Sequence, residues 1–181
     1  MNITDAQREV RTVYMGGCVG QIVSGVRWLV SAAIAQWYEP KIGFWFLALG
    51  GALIFPMTQA VLRLMGRPSS LSAGNPLRWL AMQVAFTVPL ALPVVGGATL
   101  YRMGWFYPGC MLVVGAHYLP FVFLYGMPLF GVLGAIVVGA GVAIGMRAPE
   151  QVTLGGWLTG AAFIVFAFVL RYDAARRDAA S

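Results

Sequence analysis

Two side chains that hold or can take up a positive charge, Arg27 and His117, lie inside apolar stretches of this chain, and none of those stretches contains Asp or Glu. An ionised group at membrane depth is costly and has to be compensated. For Arg27 the available compensation is backbone carbonyls, a loop acid such as Glu39 or Glu150, a lipid phosphate, or a bound anion. Gly20, Ser24 and Ser31 share its helical face, so that face is small and polar and points into a bundle or a wet cavity. His117 is the only histidine. An imidazole relays protons, holds an anion when charged, or bonds a neighbour's carbonyl when neutral. The ordinary alternative for both residues is structural, each satisfied within the bundle.

Gln21, Gln59, Gln83 and His117 fall in one half of their helices when depth is counted at ~1.5 Å per residue. They form one expected polar layer, with Thr58 and Thr87 at nearby depths. The plainer reading is a set of interhelical hydrogen bonds worth about 0.6 kcal/mol each. For catalysis, Ser24 and His117 are the nucleophile and base to name, but the sequence shows nothing that orients the histidine. No cofactor and no metal is expected, because neither acids nor cysteines gather near His117. Cys18 and Cys110 differ in depth by more than about 10 Å, beyond the reach of a disulfide. The lack of intramembrane carboxylates counts against cation transport and leaves anionic, neutral or amphiphilic molecules.

The elements that must position these residues are apolar helices. The 181 residues are 60% hydrophobic and 10% charged, against roughly a quarter charged in a soluble domain. The net charge of +6 comes from arginines at the ends of apolar blocks, so membrane topology explains it and nucleic acid is not an expected partner. The blocks predict a single all-α transmembrane domain over 1–181, with six helices at about 12–37, 42–65, 78–100, 105–125, 128–146 and 152–170. Pro89, Pro93 and Pro120 should kink their helices or make them irregular, and the polar tail from Tyr172 to Ser181 should fray. Ala33-Ile34-Ala35 has the form of a signal-peptidase site, but Arg27 interrupts the apolar run, so the first segment reads as a retained helix. Eight Lys and Arg flank the N-terminal side of these helices and three the other, which puts both termini in the cytoplasm.

Small residues recur at four-residue spacing: Gly131, Ala135, Gly139 and Ala143; Gly156 and Gly160; Gly16, Gly20 and Ser24. Such faces let helix backbones approach closely, within one bundle or across a dimer or partner interface. The segments Ala52-Leu53-Ile54-Phe55-Pro56, Asn75-Pro76-Leu77 and above all Gly115-Ala116-His117-Tyr118-Leu119-Pro120 resemble a family of uncharacterised bacterial integral membrane proteins. The resemblance covers the first four helices and implies a bacterial inner-membrane protein. It directs attention to His117 and Tyr118 without naming a substrate.

The function expected from these residues is binding or transport of a small anionic or amphiphilic molecule, with Arg27, His117, Tyr118, Gln21, Gln59, Gln83 and Ser24 as contacts. The alternatives are a non-catalytic membrane subunit that docks a partner or a second copy, and a lipid-directed enzyme using His117 as base. Apart from the bilayer, no partner is specified by a motif.

Overall fold

The first apolar block does not form one helix. In the computed structural model of the chain, which describes residues 1–179 and Ala52 by its backbone alone, a short amphipathic helix, α1 (Ile3–Val13), precedes a tight turn at Met15–Gly17. Helix α2 (Cys18–Trp37) follows the turn. Gly16 and Gly17 have φ of +67° and +86°, conformations that glycine adopts without a Cβ penalty. The expected helix start at Thr12 is therefore corrected: the Gly-Gly pair turns the chain and separates a surface helix from the first long apolar one. Asn2 caps α1 by accepting from the Asp5 N–H at 2.8 Å.

The second block is broken too. Helices α3 (Pro40–Gly50) and α4 (Ile54–Leu64) are bent by 66° about Gly51–Leu53, in place of the single helix expected over 42–65. Pro56 falls in the first turn of α4, where its missing N–H costs no hydrogen bond. Helix α5 (Leu77–Tyr101) carries Pro89 and Pro93 within one continuous helix. The fourth block divides, as Pro120 predicts, into α6 (Phe106–His117) and α7 (Leu119–Tyr125). Gly126, at φ +64°, ends α7, and α8 (Leu129–Arg147) and α9 (Leu154–Ala179) complete the chain. The tail expected to fray instead continues α9 to Ala179. Arg11 Nε donates to Asp178 at 2.8 Å and anchors that extension to α1. Ala180 and Ser181 lie outside the described residues.

Five stretches are long and apolar enough to cross a membrane: Met15–Trp37, Leu77–Tyr101, Met103–Tyr125, Leu129–Arg147 and Leu154–Ala179. The bent α3–α4 pair makes a sixth if it is one span. The most extensive helix contacts are α2 on α9 and α6 on α8. Both are closed by glycine: a Cβ on Gly160 would lie 2.6 Å from Leu29 Cγ, and one on Gly134 would lie 2.7 Å from the Gly115 carbonyl oxygen. The Gly131, Ala135, Gly139 and Ala143 row does not take part in this packing. It turns outward, with Gly139 facing open space and Ala135 and Ala143 exposed, because it lies on the side of α8 opposite the buried Phe130, Leu133, Val137 and Ile144. Between α2, α3 and α6, Ser31 donates to the Gly43 carbonyl at 2.8 Å and its oxygen meets the Tyr107 hydroxyl at 2.7 Å.

Candidate functional site

Residues three and four apart share one face of a helix, and Gly20, Gln21, Ser24, Arg27 and Trp28 of α2 form such a face, continued by Gly17 of the preceding turn. On α5 the corresponding row is Ala81, Ala85, Val88, Pro89 and Leu92, while α4 supplies Ile54, Phe55 and Thr58. The break between α6 and α7 brings His117, Tyr118 and Phe121. These elements enclose a cavity of about 230 Å³. Its polar residues include Gln21, Ser24, Arg27, Trp28, Thr58, His117 and Tyr118, with Tyr14, Cys110 and Tyr125 also on its wall, and no carboxylate lines it.

Arg27 is the centre of its chemistry. Its Nε and Nη1 are buried without a hydrogen-bond partner, as are Trp28 Nε1 and Thr58 Oγ1. The guanidinium fits against the α3–α4 break because glycine stands there twice: a Cβ on Gly50 would lie 3.0 Å from Arg27 Cδ, and one on Gly51 would lie 3.2 Å from Nη1. The carbonyl end of α3 gives partial negative charge on that side. The loop acids proposed from the sequence as counter-ions do not serve. Glu39 instead caps α3, accepting from the Lys41 N–H at 3.3 Å, and Arg27 makes no ion pair among the described residues. Ten residues of α2 separate Arg27 from Trp37 at the helix end, about 15 Å at helical rise, which is beyond the span of the two side chains.

His117 is oriented after all. Thr87 Oγ1 donates its one hydrogen to the Val84 carbonyl at 2.7 Å, so toward His117 Nδ1, 2.9 Å away, it acts as acceptor. With the hydroxyl so directed, a neutral imidazole keeps its proton on Nδ1 and leaves Nε2 as the basic nitrogen. His117 also borders a second, more open groove on the outer surface of α5 and α6, lined by Ala91, Leu112, Val113, Ala116 and Pro120. Tyr118 donates to Gln21 Oε1 at 3.3 Å, joining α2 to the α6–α7 break.

Of the seven residues singled out from the sequence, Arg27, His117, Tyr118, Gln21 and Ser24 come together on this cavity. Gln59 and Gln83 do not. Gln59 donates to the Ser69 carbonyl at 3.2 Å, tying α4 to the following loop, and Gln83 is exposed on the outer face of α5. Depth alone placed them in the layer; the angle about the helix removes them, since Gln83 is two residues, about 200° of rotation, from both Ala81 and Ala85. Trp28 is a cavity donor that the sequence did not mark, although it adjoins Arg27. No group of three or more His, Cys, Asp or Glu gathers among the described residues. The cavity therefore offers N–H and O–H donors on an otherwise apolar and aromatic wall rather than a metal-ligand set.

Away from the cavity, α1 holds the end of α7 and the loop between α4 and α5. Gln7 donates to the Phe123 carbonyl at 2.6 Å, Arg11 to the Tyr125 carbonyl at 2.8 Å, and Glu9 accepts from the Ser72 N–H at 2.6 Å and from Asn75 Nδ2 at 2.9 Å. The Ser72 N–H bond is the main cause that holds the Glu9 carboxyl below its ordinary range. Asn75 in turn accepts from the Leu77 N–H at 2.9 Å, starting α5.

A bundle of long apolar helices around a polar-lined cavity defines a multi-pass helical membrane protein. The chain belongs to a family of unknown function, DUF7010, whose model matches residues 3–173. No curated protein and no solved structure matches it.

Proposed function

We propose that this is a six-span protein of a bacterial inner membrane, with both termini cytoplasmic, whose central cavity binds a small anionic or amphiphilic molecule. One observation carries the reading: the Arg27 guanidinium is buried with two unpartnered nitrogens in a cavity that has no carboxylate. A buried cation without a counter-charge is costly, and an anion supplied from outside the chain removes that cost. Trp28, Thr58 and Ser24 add neutral donors, while Leu47, Leu92, Phe121 and Phe130 suit an apolar body. The excess of Lys and Arg on the N-terminal side supports the orientation.

A thermal-shift screen of purified protein against small carboxylates, phosphates and lipid-like anions tests the reading. Anions should raise the melting temperature of the wild type and not that of Arg27→Gln, with His117→Ala reducing the response. If no anion stabilises the wild type, or if Arg27→Gln responds equally, the reading fails.

A further inference from the structure

The wall of the cavity is incomplete on one side. Phe55, 52% exposed, and Ala85 and Pro89, also exposed, belong to the outer surface of α4 and α5, yet all three line the cavity. Helix α4 packs chiefly on α2, and α5 chiefly on α6, so the backbones of α4 and α5 scarcely approach one another. The cavity therefore opens sideways at these residues. Pro89 stands at the middle of the 25-residue α5, about 18 Å from either end at helical rise. In a hydrocarbon layer ~30 Å thick, that mouth faces acyl chains rather than headgroups or water.

We infer that the cavity is loaded from the acyl-chain layer through the α4–α5 gap, and that its ligand is a single-chain carboxylic acid whose head pairs with Arg27 while its chain extends out through the mouth. This rests on the anion-binding reading above and specifies the ligand and its route. A permanently charged head cannot reach a mid-membrane mouth at acceptable cost. A carboxylic acid can, because protonation removes its charge in hydrocarbon. Inside, the head lies between Arg27 and His117, whose ring lines the same cavity and whose Nδ1 is held by Thr87: the head's oxygens accept from the guanidinium, and the acid proton stays on the head, shared toward the imidazole. A cavity of about 230 Å³ takes the head and the first few methylenes, and lipid solvates the remainder.

The test uses the protein in nanodiscs and saturable binding of radiolabelled dodecanoate, with empty nanodiscs subtracted. Dodecanoate should bind the wild type and weaken by about tenfold or more in Arg27→Gln. Hexanoate at equal aqueous concentration should bind more weakly, because it partitions less into the bilayer from which the cavity is loaded, by roughly fourfold per methylene. Dodecanesulfonate, with the same chain and a permanent charge, should not load. Ala85→Phe should slow association and Phe55→Ala should speed it, a pair of opposite effects that a folding defect does not produce. If both mouth variants associate at the wild-type rate, or if the sulfonate loads as fast as dodecanoate, while binding stays Arg27-dependent, lateral loading is wrong and the anion site stands. If none of the three probes binds in an Arg27-dependent way, both inferences fall.

Discussion

Replacing Arg27 with methionine keeps an unbranched stem and removes the guanidinium, and the ligand-free variant should be more stable than the wild type. In the wild type, Nε and Nη1 are buried without partners. Each unmet donor costs about 1–3 kcal/mol, and replacing buried charge with apolar volume is often neutral or stabilising by about 1–4 kcal/mol. Against this stands the loss of the favourable carbonyl end of α3, about 0.3–1 kcal/mol. A net gain of about 1–3 kcal/mol follows, which corresponds to some 2–10 °C for a chain of this size. Ligand should reverse the order, since an anion at a hundredfold excess over its Kd adds about 2.7 kcal/mol to the wild type and nothing to the variant. The assay is thermal unfolding in detergent followed by a thiol-reactive dye or by light scattering, with and without dodecanoate. A variant that melts below the wild type, in a protein that no anion stabilises, would show that Arg27 holds the bundle together and would refute the reasoning.

Gly134→Ala places its Cβ 2.7 Å from the Gly115 carbonyl oxygen, a backbone clash expected to cost about 1–3 kcal/mol, whereas Gly139→Ala, mid-helix and meeting nothing within 4 Å, should raise the melting temperature slightly, by a helix-propensity gain of about 0.5–1 kcal/mol. Glu9 has a native pKa below its ordinary value of 4.5, so its stabilising contribution is complete above that value and is lost as pH falls through the lower native one. Acid-unfolding curves of wild type and Glu9→Gln should therefore differ near neutral pH and converge at the acid end; parallel curves throughout would contradict this. Arg11→Ala removes the bonds to Asp178 and the Tyr125 carbonyl. It should cost about 2–4 kcal/mol, since Arg11 is buried and its partner is only partly exposed, and it should open the end of α9 to proteolysis, with cleavage after Arg176 or Arg177 as the readout.

Apolar run length made the long helices legible, because a lipid-facing helix such as α5 has few other constraints on its composition. The breaks were harder to read. The bend at Gly51–Leu53 and the Gly16-Gly17 turn sit within continuous apolar sequence, and only tertiary contact distinguishes a glycine that breaks a helix from one that admits a neighbour. Proline was an uneven guide: Pro120 marks a real break, while α5 absorbs Pro89 and Pro93. At the site, residues brought in by one helix face were legible, as Ser24 and Arg27 were from their spacing, while Gln21 was reached by depth. Gln59 and Gln83 were misplaced because depth was counted without the angle about the axis. Helix α1 escaped notice because its polar residues look like a tail, and the Glu9, Ser72 and Asn75 cluster joins residues more than sixty positions apart.

The contacts of α1 also set an order of events during synthesis. This helix emerges first, yet the carbonyls it needs belong to Phe123 and Tyr125, and the carboxylate that Arg11 meets is 167 residues downstream. At translation rates of about 5–20 residues per second, Arg11 waits roughly ten to thirty seconds for Asp178. Its other partners arrive in stages: Ser72 and Asn75 for Glu9 after some sixty residues, and the Phe123 and Tyr125 carbonyls for Gln7 and Arg11 after more than a hundred. The contacts of the first helix made are thus completed only by the last one.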